Sequence, residues 1–128
     1  VKALLDTHTL LLTIFSPAML GPEAAEIIRD PETELLVSAA SAWEIATKVR
    51  RGRLPEAQEL ERNFLEDMTA AGLTLREITV ADALRAGRFP GSHRDPIDRM
   101  IAAQAIADDI PVISIDAKLD MFRVRRIW

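Results

Sequence analysis

The chain has 128 residues, 48% of them hydrophobic and 28% charged, with a formal net charge of −4 and no cysteine. That length suits one domain over residues 1–128 with one site, and the balance excludes a disordered chain. Without cysteine there is no disulfide, thiolate zinc site or cysteine nucleophile, so a metal would rest on oxygen ligands or on the two histidines, and oxygen suits Mg²⁺ or Mn²⁺.

Lys2 to Leu5 reads as a short buried strand, and Asp6-Thr7-His8-Thr9 caps the apolar run Leu10 to Phe15. Asp6 therefore stands where a strand ends and a helix begins, the edge at which open parallel α/β sheets bind ligands, although capping alone accounts for it equally well. Val1-Lys2-Ala3-Leu4-Leu5-Asp6 is too short and too soon acidic for a signal peptide, and the missing initiator methionine is taken as an absent first residue. No apolar run approaches the ~20 residues of a spanning helix, so the expected location is cytoplasmic, with no membrane partner. Pro17 and Gly21-Pro22 break the chain before a helix over Glu23 to Arg29.

Leu35-Leu36-Val37 is a second strand, leading through Ser38 into a helix that runs to about Arg51 and stops at Gly52. Ser41 and Glu44 have the spacing of a capping box. The alternative points Glu44 into the same crevice as Asp6. Trp43 and Ile45 flank it as core or interface residues, packing being the commoner role for one tryptophan beside an acid. Pro55 opens a third helical stretch with Leu60, Phe64, Leu65 and Met68 on its apolar face. Gly72 ends it, Leu73 to Arg76 resembles a strand, and Thr79 to Arg88 forms a helix with Val80, Ala83, Leu84 and Gly87 inward.

Phe89-Pro90-Gly91-Ser92 is a loop that delivers the chain to His93-Arg94-Asp95-Pro96-Ile97-Asp98-Arg99-Met100-Ile101-Ala102-Ala103-Gln104-Ala105. Pro96 fits the first helical position, which makes Asp95 the N-cap and puts Asp98 in the first turn. Ile97, Ile101 and Ala105 then bury one face, with Met100 and Ala103 beside them. After Asp108-Asp109, Ile110 to Asp116 is the strongest strand signal and again finishes on an acid. Ala117 to Met121 is one helical turn and Val124 to Ile127 an edge strand.

Three acids, Asp6, Glu44 and Asp116, thus follow strands, and the central helix adds Asp98. Two unit charges ~4 Å apart repel by about 4 kcal/mol at an effective dielectric near 20, so four converging acids are a poor structural choice without a cation. A bound Mg²⁺ or Mn²⁺ resolves the conflict and suits one task, activating water for attack on a phosphodiester while offsetting phosphate charge. Arg94 and Arg99 flank the acids, and Lys48 lies a helical turn beyond Glu44, where they would contact the backbone of a single strand. Lys48 belongs to a basic cluster with Arg50, Arg51 and Arg53. Aromatic residues are 5% of the chain, so base stacking is expected to be minor. Two other functions fit the same elements. Phosphoryl transfer on a small substrate would use Asp6 as nucleophile and Asp116 as metal ligand, but lacks a placed lysine or threonine after a later strand. A non-catalytic protein-binding module would not need the intact acids.

The ordered motifs Leu-Leu-Asp6-Thr-His-Thr, Ser-Ala-Trp-Glu44-Ile-Ala, His-Arg-Asp95-Pro-Ile-Asp98-Arg-Met-Ile-Ala-Ala-Gln-Ala and Ile-Ser-Ile-Asp116 resemble the PIN-domain ribonucleases, specifically the VapC-like toxins of bacterial toxin–antitoxin pairs. The resemblance spans nearly the whole chain. It implies a three-layer α/β/α sandwich with a central, mainly parallel sheet of about five short strands. It also implies an acidic quartet of Asp6, Glu44, Asp98 and Asp116 around magnesium, with Ser114 the small polar residue two before the last acid and Asp95 a second choice for the central acid. An RNA substrate, frequently transfer RNA, a homodimer and a small antitoxin protein whose tail lies across the site complete the implied picture.

Overall fold

In the computed structural model, which describes residues 1–128, the sheet is built from β1 (Lys2–Leu5), β2 (Glu34–Ser38), β3 (Thr74–Arg76), β4 (Val112–Ile113) and β5 (Arg126–Ile127). The strands run in the order β3-β2-β1-β4-β5, and every pairing is parallel. Parallel strands need crossover connections, and these are supplied by α1 (Thr7–Phe15), α2 (Pro22–Arg29), α3 (Ala39–Arg50), α4 (Gln58–Arg62), α5 (Phe64–Ala70), α6 (Val80–Arg88) and α7 (Pro96–Asp108).

The three central strands are apolar on both faces, as strands covered on both sides must be. Ala3, Leu5, Leu35, Val37 and Ile113 point to one side, where Leu10, Ala24, Ile45, Leu60 and Met68 from α1 to α5 close the core. Leu4, Leu36 and Val112 point to the other, under Ile97, Ile101, Ala102 and Ala105 of α7 and Leu119 and Phe122 of the following 3-10 turn. This is the expected α/β/α sandwich, with a sheet parallel throughout. Strand order reverses at β1, so the crevice at its carboxyl end is the place where such sheets bind ligands. No helix is long and apolar enough to cross a membrane.

Several elements differ from the sequence reading. Ser41 and Glu44 form no capping box: the N-cap of α3 is Ser38, whose hydroxyl accepts from the Ala40 N–H at 3.0 Å, and Ser41 is buried one turn inside. The stretch after Pro55 is a 3-10 turn and two short helices broken at Asn63, with Leu65 turned outward. The strand expected over Ile110 to Asp116 pairs only at Val112–Ile113, because beyond it the chain turns off the sheet to place Ser114 and Asp116.

Most informative is α6, whose expected inward face is reversed. Val80 and Leu84 are exposed, and Asp82 and Ala86 are buried. Asp82 can be buried because Arg76 donates to its two oxygens at 2.8 and 3.1 Å, while Asp82 also closes a capping box with Thr79. A fully satisfied carboxylate removes the penalty that pattern reasoning assigns to an inward acid. Trp43 is not core either, standing 63% exposed on α3.

Candidate active site

Asp6, Thr7, His8, Leu11, Glu44, Lys48, Asp95, Asp98, Ile115 and Asp116 line one cleft of about 430 Å³ at the carboxyl edge of the sheet. The four acids of the expected quartet and the second-choice Asp95 are therefore brought together. Local geometry explains how each is aimed. Asp6 leaves β1 as the N-cap of α1, its Oδ1 accepting from the Thr9 N–H at 2.8 Å. Ser114 leaves β4, the strand beside it, and donates its hydroxyl to Asp6 Oδ2. The same Ser114 oxygen accepts from the Asp116 N–H at 3.0 Å, so one buried hydroxyl fixes one acid and the backbone of another. Asp116 then caps the 3-10 turn over Ala117–Phe122.

Glu44 enters from α3, and Asp95 and Asp98 from the start of α7. Asp95 is the N-cap, Oδ1 accepting from Ile97 and Asp98, and Pro96 occupies the first turn as expected. Asp98 is largely buried, and that burial, together with the charges of Asp95 and Asp116, pushes its carboxyl above the usual range despite the opposing His93.

The acids are not wholly uncompensated, which modifies the expectation from charge repulsion. Lys48 Nζ lies 3.2 Å from Glu44 Oε2, and His93 Nε2 lies 2.9 Å from Asp98 Oδ2. Asp6, Asp95 and Asp116 have no ion-pair partner. His93 is the site residue that sequence reasoning missed, entering it only as the first residue of the central stretch. Its ring meets the Phe122 ring edge-on at 5.4 Å, a packing that aims it back at Asp98. Its sequence signal was modest, a histidine two residues before a capping aspartate.

The basic residues divide. Lys48 lines the cleft, and Arg94 is exposed without a carboxylate partner. Arg99 turns away from the cleft: its guanidinium donates to the main-chain carbonyls of Ala86, Gly87, Phe89 and His93. It is a clamp tying the end of α6 and the following loop to α7, which corrects its expected role at an RNA backbone.

The donor set suits a hard divalent cation. It is all oxygen, and Glu44 Oε1, Asp95 Oδ2, Asp98 Oδ1 and Asp116 Oδ2 accept no hydrogen bond from the protein. The acids share the cleft wall, but no three of the acidic and histidine side chains converge closely enough to form a preassembled cation-binding group. An all-oxygen set suits Mg²⁺, which takes one or two carboxylates directly and keeps several waters.

Comparison with known proteins follows the same direction. A family model described as the PIN domain matches residues 3–125. No curated protein sequence matches the chain significantly. Among solved structures, a chain of VapBC2 from Rickettsia felis, bound to a DNA fragment from their promoter, superposes with a TM-score of 0.71 at 13% identity, covering 99% of this chain and 98% of that one. A chain of VapBC-1 from nontypeable Haemophilus influenzae superposes with a TM-score of 0.66 at 16% identity, covering 99% and 97%. At such identities the likeness is one of fold.

Proposed function

The chain belongs to the PIN-domain family, and on that premise we propose that it is a divalent-metal-dependent endoribonuclease, the toxin of a VapC-type toxin–antitoxin pair. The observation that carries the reading is the convergence of Asp6, Glu44, Asp98 and Asp116, with Asp95 beside them, on one open cleft at the strand-order reversal. Coverage of nearly the whole length of two VapBC chains supports the same reading.

Asp6, Glu44, Asp98 and Asp116 are the residues assigned to hold Mg²⁺ or Mn²⁺, which when bound supplies water activation and offsets phosphate charge. The chain's own residues do the rest. Ser114 and the Thr9 N–H hold the Asp6 carboxylate in one orientation, so the acid is not reorganised when substrate arrives. His93 does the same for Asp98. Lys48, at the cleft wall, and exposed Arg94 are the cations assigned to contact the phosphates of a single strand without reading its bases. Transfer RNA is the substrate class the family resemblance favours, a small antitoxin the protein partner, the cytoplasm the location, and a homodimer the assembly. Sedimentation at twice the 14.2 kDa of the chain would support that assembly.

The deciding experiment is cleavage of bulk transfer RNA by purified protein with Mg²⁺, with Mn²⁺ and with EDTA, using Asp6→Asn as the control for contaminating nuclease. Asparagine preserves the cap on α1 but removes the charge. Metal-dependent cleavage that the variant lacks is expected. Equal cleavage by both proteins would overturn the proposal, and a protein that neither cuts RNA nor binds Mn²⁺ in calorimetry would favour the binding-module reading.

A further inference from the structure

Trp43 is a large aromatic side chain left in solvent, 63% exposed, on the helix that supplies Glu44. It lines a second groove, of about 190 Å³, together with Glu44, Thr47, Lys48, Arg51, Arg53, Pro96 and Ile97. Glu44 and Lys48 also line the acidic cleft, so the groove is the cleft's continuation between α3 and the start of α7. Its charge changes sign along the way. Arg51 and Arg53 are exposed and make no ion pair or side-chain hydrogen bond with the protein.

The chain folds so as to put those cations there. Gly52 has φ +71, a left-handed conformation that only glycine adopts cheaply, and it reverses the chain just past α3. The Gly52 N–H bonds to the Val49 carbonyl at 3.0 Å and the Arg53 N–H to the Lys48 carbonyl at 2.9 Å. That Schellman closure carries Arg53 back alongside Lys48 instead of onward into the next loop.

We propose that this groove is a single-stranded RNA subsite adjoining the cleavage cleft, in which Trp43 stacks on a base and Arg51 and Arg53 hold flanking phosphates; the proposal rests on the nuclease reading above. A π-face accepts any base, and unpaired guanidinium groups beside it answer the phosphates, the combination by which single strands are held without sequence preference. Duplex RNA keeps its bases stacked on one another and leaves Trp43 nothing to stack on. Trp43 is a positioning residue here, since the acids lie further along the same path.

The test is binding of a short single-stranded RNA in EDTA, where cleavage is absent, read by anisotropy and by tryptophan fluorescence. The other tryptophan, Trp128, is packed against the core and serves as background. Quenching of Trp43 by single-stranded RNA but not by its duplex is expected. Trp43→Ala should weaken binding about tenfold, with Trp43→Phe restoring most of it. Arg51→Ala and Arg53→Ala should each lower the slope of log affinity against log salt by about 0.7, whereas Trp43→Ala should leave that slope alone. With metal present, the loss in Trp43→Ala should fall on KM and not on kcat. Unchanged RNA affinity in Trp43→Ala, with RNA still cut normally, overturns the subsite and leaves the nuclease reading standing. The same holds if only a protein partner quenches Trp43. RNA neither bound nor cut by the unaltered protein overturns both.

Discussion

Ser114 shows how much of the site depends on one small side chain. It is fully buried, donates to Asp6 and accepts from the Asp116 backbone, so it couples two acids from adjacent strands. Ser114→Ala leaves the fold's packing intact but leaves the Asp6 carboxylate held only through the Thr9 N–H. Metal-dependent RNA cleavage is expected to fall about 10–100-fold, the usual cost of losing a partner that orients a ligand. Asp98→Asn should cost more than about 100-fold, because it removes a charge from the metal shell and not merely its support. Asp95→Asn should cost less than Asp98→Asn, since Asp95 spends one oxygen capping α7 and asparagine caps as well. Cleavage rates of the three variants at saturating Mn²⁺ check the order, and a larger loss in Asp95→Asn would reassign the central acid. At this scale the acids were legible, because a strand end or helix start confines where an Asp can point. His93 and Trp43 were not, because their roles follow from burial: an imidazole aimed by Phe122, and an indole that no other element covers.

Between elements, the most concentrated polar joint lies away from the cleft. Arg76, at the end of β3, donates to Asp82 in α6 and to Asp108 at the end of α7, at 2.8 Å in each case. It also donates to the Glu77 carbonyl, which accepts from buried Gln104 at 3.1 Å as well. Burial alone would raise the Asp82 carboxyl, but hydrogen bonds from Arg76 and Thr79 and the charge of Arg76 outweigh it and hold the group below its ordinary 3.8. A depressed folded-state value means that the stabilisation is fully present above the unfolded value and is lost as pH falls through the folded one. Asp82→Asn should therefore destabilise the protein at neutral pH by about 2–3 kcal/mol, the worth of charge-assisted bonds in a buried setting. Thermal unfolding of both proteins as a function of pH checks this. The gap should hold down to about pH 4 and narrow below it, and a constant gap would show that lost packing and not charge is responsible. This joint is also why α6 was misread. The period of Val80, Ala83, Leu84 and Gly87 was real, but a carboxylate with a guanidinium waiting beneath it from β3 decides which face turns inward, and that pairing joins residues six apart across a strand end and a loop.

At the scale of the whole molecule, α/β/α layering was legible because the three central strands are unbroken apolar runs and the helices between them start and stop at Pro, Gly and capping acids. The length of β4 was not, since pairing ends where the backbone leaves to serve the site. Five acids line one edge of the fold, and Asp98, largely buried among them, carries an unfavourable charge that the His93 contact relieves only in part. Binding a cation should therefore stabilise the entire domain and not merely enable cleavage. At a Mn²⁺ concentration about a hundred times its dissociation constant the gain is about 2.7 kcal/mol, or a rise of about 10 °C in Tm for a domain of this size. EDTA should reverse it, and sodium chloride at equal ionic strength should not reproduce it, because screening between carboxylates around one cleft is weaker than coordination. Asp98→Asn should show the opposite pattern: little response to Mn²⁺, and in EDTA a Tm no lower than that of the unaltered protein, because it removes a largely buried charge facing Asp95 and Asp116. An acid that lowers stability in the apo protein and repays it on metal binding is one retained for chemistry. Identical Mn²⁺ shifts in the two proteins would instead place the cation elsewhere and leave Asp6 and Asp116 explained by their helix caps alone.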